Sequence, residues 1–95
     1  MPKYRDDVNC DVCGGSITLP KARIEWNYRE QGEMQVCHHE CSHGWRNDSR
    51  SLSDMILDQC HTEQDVFERL GTIPEDYGEE YREACIRIRK QIFVI

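Results

Sequence analysis

The sequence predicts a small α+β domain, in which a zinc-stabilised β-hairpin finger packs with C-terminal α-helices. Three observations predict it. Two pairs of metal-ligating residues, each with a two-residue gap, bracket a stretch of apolar–polar alternation. Helical patterns take over in the second half of the chain. And a chain of 95 residues, 32% of them charged, has little apolar area to bury, so a staple is expected. One domain, 1–95, accommodates both parts: a zinc-binding hairpin part over 1–48 and a helical part over 49–95.

The first ligand pair is Cys10 and Cys13, followed directly by Gly14 and Gly15. Paired glycines suit a tight knuckle whose backbone amides point at thiolates, because glycine tolerates positive φ. A strand comes next. From Ala22 to Arg29 the chain alternates, with Ala22, Ile24, Trp26 and Tyr28 on one face and Arg23, Glu25, Asn27 and Arg29 on the other. Residues 30–33 form a turn signal through Gly32, and Met34 to Val36 continues as the returning strand. Trp26 belongs to the core; Trp45 is either core or an exposed binding residue.

The second ligand pair ends this hairpin. Cys37, His38, His39, Cys41 and His43 fall within seven residues. His38 and Cys41 reproduce the two-residue gap of Cys10 and Cys13, and four such ligands complete a tetrahedron around one structural zinc ion. Cys37 is the alternative fourth ligand, giving a four-cysteine site. Strand alternation favours His38, since it places Val36 and His38 on one side and Cys37 on the other.

The order of knuckle, hairpin and second ligand pair resembles a treble-clef zinc finger, and its spacing is similar to one half of a LIM domain, over residues 8–46. The matching residues are Cys10, Cys13, His38 and Cys41. The resemblance implies a structural zinc ion and a protein-binding surface. No second finger follows, so the role of LIM domains does not carry over.

The second half predicts three helices. Residues 51–60 start with Ser51 as N-cap and Asp54 three positions on, a variant of the capping box. Thr62 caps a second helix that ends at Gly71. A third opens at Pro74 and carries Tyr77, Tyr81, Cys85, Ile88 and Ile92 at helical spacing, with acids early and bases late. Cys85 then reads as a buried thiol. Cys60 and His61 read as a half-buried thiol and a cap, or as part of a second metal site. The apolar end, Ile92 to Ile95, either packs on the hairpin or pairs with another subunit, which would make a homo-oligomer.

Six cysteines without an apolar leader, and without an apolar run near 18 residues, predict a cytoplasmic protein whose cysteines hold metal. The net charge is −6, with 6 basic against 8 acidic residues over 1–48 and 6 against 10 over 49–95. Neither part is basic, which disfavours nucleic acid and favours a protein partner. The expected function is therefore that of a non-enzymatic interaction or regulatory protein with a rigid acidic surface. In size and charge it resembles small accessory proteins of bacteriophages, which implies a modulator of a host protein. A nucleic-acid-associated zinc protein is the second reading. An HNH-like nuclease is the third; its only candidates, His39, Asn47 and His61, have gaps that do not fit the motif. A thioredoxin-like redox pair at Cys10 and Cys13 is disfavoured by the glycines behind them.

Overall fold

The computed structural model describes residues 2–27, 32–41, 52–59 and 61–94. The readings made for Tyr28, His43, Trp45, Asn47, Ser51, Cys60 and Ile95 lie outside these residues. The described chain is mixed α and β: seven short strands in three sheets, and two α-helices.

Strand β2 (Asp7–Asn9) pairs antiparallel with β3 (Ser16–Thr18), and the turn between them is the Cys10–Gly15 knuckle. Strand β4 (Arg23–Asn27) pairs with β5 (Met34–Cys37) in the expected hairpin, with Ile24 opposite Val36 and Trp26 opposite Met34. Gly32 closes it at φ +84°, and a Cβ there would come within 2.8 Å of the Glu80 carbonyl oxygen. Glycine is thus required twice over, by conformation and by space.

The first correction concerns residues 51–60, predicted as a helix. Leu52–Ile56 is instead a strand, β6, antiparallel to β4, so that the central sheet runs β5–β4–β6. Met55 and Leu57, two residues apart, are both buried. That period of two is the signature which the run Met55–Ile56–Leu57 disguised. Partner supply decided the matter: β4 has hydrogen-bonding groups on both edges, and β6 satisfies the one that β5 leaves.

β4 is the central strand, and residues from both of its faces are buried. Glu25 and Asn27, assigned to the outer face, are buried along with Ile24 and Trp26. Glu25 is satisfied by Arg23 Nε at 3.0 Å and by the amide of Gln35, and Arg23 also reaches Asp54 at 2.6 Å. A buried carboxylate persists only when so partnered.

The helices differ from expectation at their junction. Thr62 caps α1 (Glu63–Tyr77) as predicted, its hydroxyl accepting from the Asp65 amide at 3.1 Å. The helix then runs through Gly71 and Pro74 and stops at Gly78, φ +134°. Gly71 does not end it; Arg89 passes so closely that a Cβ would meet its guanidinium at 2.6 Å. A 3₁₀ turn (Glu79–Tyr81) leads into α2 (Arg82–Ile92). The predicted stripe is therefore split. Tyr81, Cys85, Ile88 and Ile92 are buried, whereas Tyr77 sits on α1 and is 40% exposed. The last strand, β7 (Phe93–Val94), pairs with β1 (Lys3–Tyr4), so the apolar tail docks on the N-terminal strand of its own chain.

One apolar cluster joins these parts. Ile24, Trp26, Met34 and Val36 of the hairpin meet Met55 and Leu57, Val66 and Leu70 of α1, and Ile88 and Ile92 of α2. Two polar ties reinforce it. Tyr81 Oη donates to the Asn27 carbonyl at 3.0 Å, and Arg87 donates to the Met34 carbonyl at 2.7 Å.

Candidate metal centre

Four side chains converge at one end of the central sheet. One ligand atom from each of Cys10, Cys13, His38 and Cys41 lies within 4.8 Å of the other three. Cys10 and Cys13 come from the β2–β3 knuckle. His38 follows β5, and Cys41 ends a 3₁₀ turn (His39–Cys41) whose amide bonds back to the His38 carbonyl at 3.1 Å. The two-residue gap works the same way in both pairs: a tight turn brings its first and fourth residues to one side.

The knuckle is organised around sulfur. The amides of Val12 and Cys13 both lie 3.4 Å from Cys10 Sγ, and that of Gly15 lies 3.4 Å from Cys13 Sγ. The Cys10 amide donates to the Gly15 carbonyl at 2.8 Å, and Gly14, at φ +78°, donates to the Cys10 carbonyl at 2.9 Å. Such donors favour thiolate over thiol. Burial alone would push Cys10 up, but the amides of Cys13, His38 and Val12 and the His38 side chain outweigh it and hold this thiol down at about 6. Cys41 is pushed up to about 11, by desolvation first and then by Cys13 and Cys10 beside it. Ionised together, sulfurs this close would repel one another, and a divalent cation among them would remove that conflict.

The His38 ring is oriented for the same purpose. Its Nδ1 is 3.4 Å from Cys13 Sγ and 3.8 Å from Cys41 Sγ, while Nε2 is 3.1 Å from the Ser16 carbonyl oxygen. A carbonyl only accepts, so Nε2 carries a proton, and Nδ1 is the ring atom that faces the sulfurs and could ligate a metal ion. Metal-ligating histidines are commonly held this way by an outer carbonyl. The donor set therefore fits a metal ion, with three soft sulfurs and one imidazole nitrogen.

Cys37 is elsewhere. It is fully buried in the sheet beside Gln35 and Glu25, and burial followed by the Glu25 carboxylate pushes its thiol up to about 12. The five described cysteines are all free thiols. Cys85 is buried against Met34, 3.6 Å from its sulfur. Among the described residues, neither His39 nor His61 joins the cluster. His61 instead pairs with Asp65 at 2.8 Å at the start of α1.

Sequence reasoning missed what ties the knuckle to the fold. The Asp11 amide donates to the Val36 carbonyl, and the Val36 amide donates to the Asp11 carboxylate, both at 2.8 Å. Arg87 of α2 approaches the same carboxylate at 3.5 Å. An acidic residue between two cysteines was the only available hint. Among the described residues, no helix is long and apolar enough to cross a membrane. No known protein family, curated protein or solved structure matches this chain.

Proposed function

We propose that Cys10, Cys13, His38 and Cys41 hold one structural Zn²⁺ in a treble-clef-like finger, and that the protein is a non-enzymatic interaction module presenting a rigid acidic surface to a protein partner. One observation carries the metal reading: four potential donor atoms, three sulfurs and one imidazole nitrogen, lie within 4.8 Å of one another. A catalytic zinc keeps a position for water or substrate, whereas four protein ligands fill the tetrahedron. Zinc with three thiolates and one neutral imidazole has a net charge of −1, which the amides of Val12, Cys13 and Gly15 offset. The net charge of −6 favours a protein partner over nucleic acid.

Two measurements test this. Purified protein should contain about one zinc per chain, and chelation should unfold the knuckle and hairpin, because the binding energy is also folding energy. Metal-free protein with reduced thiols and an unchanged fold would refute the zinc site. Titration with duplex DNA and with RNA should show no salt-sensitive binding. Tight, salt-dependent binding to either would refute the protein-partner reading.

A further inference from the structure

The three sulfurs of the cluster are not equivalent. Cys10 is buried, and the amides of Val12 and Cys13 lie 3.4 Å from its Sγ. Cys41 is half-buried, whereas Cys13 is exposed. Gly15 stands beside the Cys13 sulfur, and a Cβ there would lie 3.4 Å from Sγ and 3.5 Å from His38 Cε1. Any side chain at this position would cover one side of the sulfur, which glycine leaves bare. The other two described cysteines, Cys37 and Cys85, are buried. Among the described cysteines, Cys13 is thus the one that a small solute in water meets first.

A partner for this sulfur is close by. Cys10 Sγ lies within 4.8 Å of it. The two residues are the first and fourth of a turn, which the Gly14 amide closes on the Cys10 carbonyl at 2.9 Å. The first and fourth Cα atoms of a tight turn lie within about 7 Å of each other. A disulfide joins Cα atoms about 4.4–6.8 Å apart. Cys41 approaches with its sulfur but belongs to a separate turn. The knuckle that offers two metal ligands therefore also has a backbone suited to a disulfide between them.

We propose that the metal centre is a peroxide-sensitive switch, in which Cys13 is oxidised first and Cys10 then closes a disulfide with it, so that the ion is released. A thiol that ligates zinc is deprotonated, and the thiolate is the nucleophile. Cys13 Sγ attacks one oxygen of hydrogen peroxide. The O–O bond breaks, the sulfenic acid forms and hydroxide leaves. Cys10 Sγ attacks the sulfenic sulfur. The S–S bond forms, the S–O bond breaks and a second hydroxide leaves. Two thiolates have lost two electrons, and one peroxide has gained them. His38 and Cys41 remain, two donors where structural zinc takes four. Asp11, between the two cysteines, is bonded twice to the Val36 backbone, so the loss is felt in the hairpin as well as in the knuckle. Cys10 and Cys13 join strand to strand and open no helix, so they lack the setting of a disulfide-exchange enzyme; reduced, they hold metal. This inference rests on the zinc reading and gives that site a regulation.

The test treats the zinc-loaded full chain with hydrogen peroxide. A chromogenic chelator follows released zinc, and mass spectrometry maps disulfides after alkylation of free thiols. About one zinc per chain should be released, together with a Cys10–Cys13 bridge. Dimedone added during the reaction should label Cys13 as the sulfenic acid. Dithiothreitol with added zinc should restore the hydrogen-exchange protection of the hairpin amides. Gly15→Ala, which keeps all four ligands, should release zinc severalfold more slowly, and Cys37→Ser should release it at the parent's rate. The proposal is overturned if zinc stays bound while thiols are oxidised, if the bridge joins another pair, if dimedone labels another cysteine, or if Gly15→Ala reacts as fast as the parent. A zinc-loaded chain that fails these tests loses the switch and keeps the metal site. A chain purified with reduced thiols and no zinc loses the metal site, and the switch with it.

Discussion

His38 and Cys37 are neighbours in sequence with opposite surroundings. The strand ends between them, so Cys37 stays in the sheet beside Glu25 while His38 turns toward three sulfurs. His38→Ala should therefore release the metal or weaken it sharply, while Cys37→Ser should retain it at one ion per chain, both read by metal analysis of the purified variants. Metal retained in the first and lost in the second would reverse the assignment. Asp65 provides a pH test away from the cluster. The His61 side chain first, and then Arg69, hold its carboxyl below the usual 3.8. A folded value below the unfolded one means that the pair stabilises the protein above about pH 4, and that this contribution disappears as pH falls through the folded value. Asp65→Asn should thus be less stable than the parent at neutral pH, with the gap closing in acid. Denaturant midpoints for both proteins at each pH check this, since metal loss in acid affects the two alike. A gap that is constant with pH would show that the pair contributes nothing through its charge.

Among the elements, those that depend on local chemistry could be read from the sequence. The knuckle glycines, the hairpin alternation and the Thr62 cap are properties of a few adjacent residues. What could not be read depended on distant partners. β6 pairs with the edge of β4 that β5 leaves, and α1 runs past Gly71, which packs closely against the Arg89 guanidinium. Arg89 also lies 4.0 Å over the Phe67 ring, a contact without sequence signature. The cluster of Cys10, Cys13, His38 and Cys41 was legible because the spacing within each pair is local, whereas the Asp11 clamp and the Ser16 carbonyl beside it arise from tertiary structure. Gly32 offers the sharpest test at this scale. With φ at +84° and the Glu80 carbonyl oxygen 2.8 Å from an added Cβ, Gly32→Ala should destabilise by more than about 1 kcal/mol. Chemical denaturation measures it, and a neutral effect would mean that the hairpin turn does not pack on the Glu79–Tyr81 segment.

At the scale of the whole molecule, the finger and the helices share one core. Cys85 and Arg87 of α2 meet Met34 of the hairpin, and Arg87 reaches the knuckle at Asp11. Metal and helices should therefore stabilise each other. Ile88 is fully buried, and Ile88→Ala should cost about 2–5 kcal/mol and loosen zinc as well. Unfolding curves with and without a chelator report both effects. Deleting residues 49–95 removes β6, both helices and β7 and should leave a hairpin part that does not fold. A deletion product that binds zinc normally would make the two parts independent.

The central claim is that one zinc ion sits among Cys10, Cys13, His38 and Cys41. X-ray absorption at the zinc edge of the purified protein addresses it directly. The expected spectrum has three sulfurs near about 2.3 Å and one nitrogen near about 2.0–2.1 Å. A shell of four sulfurs would place Cys37 or another thiol at the metal. A shell of nitrogen and oxygen, or no zinc at all, would contradict the account.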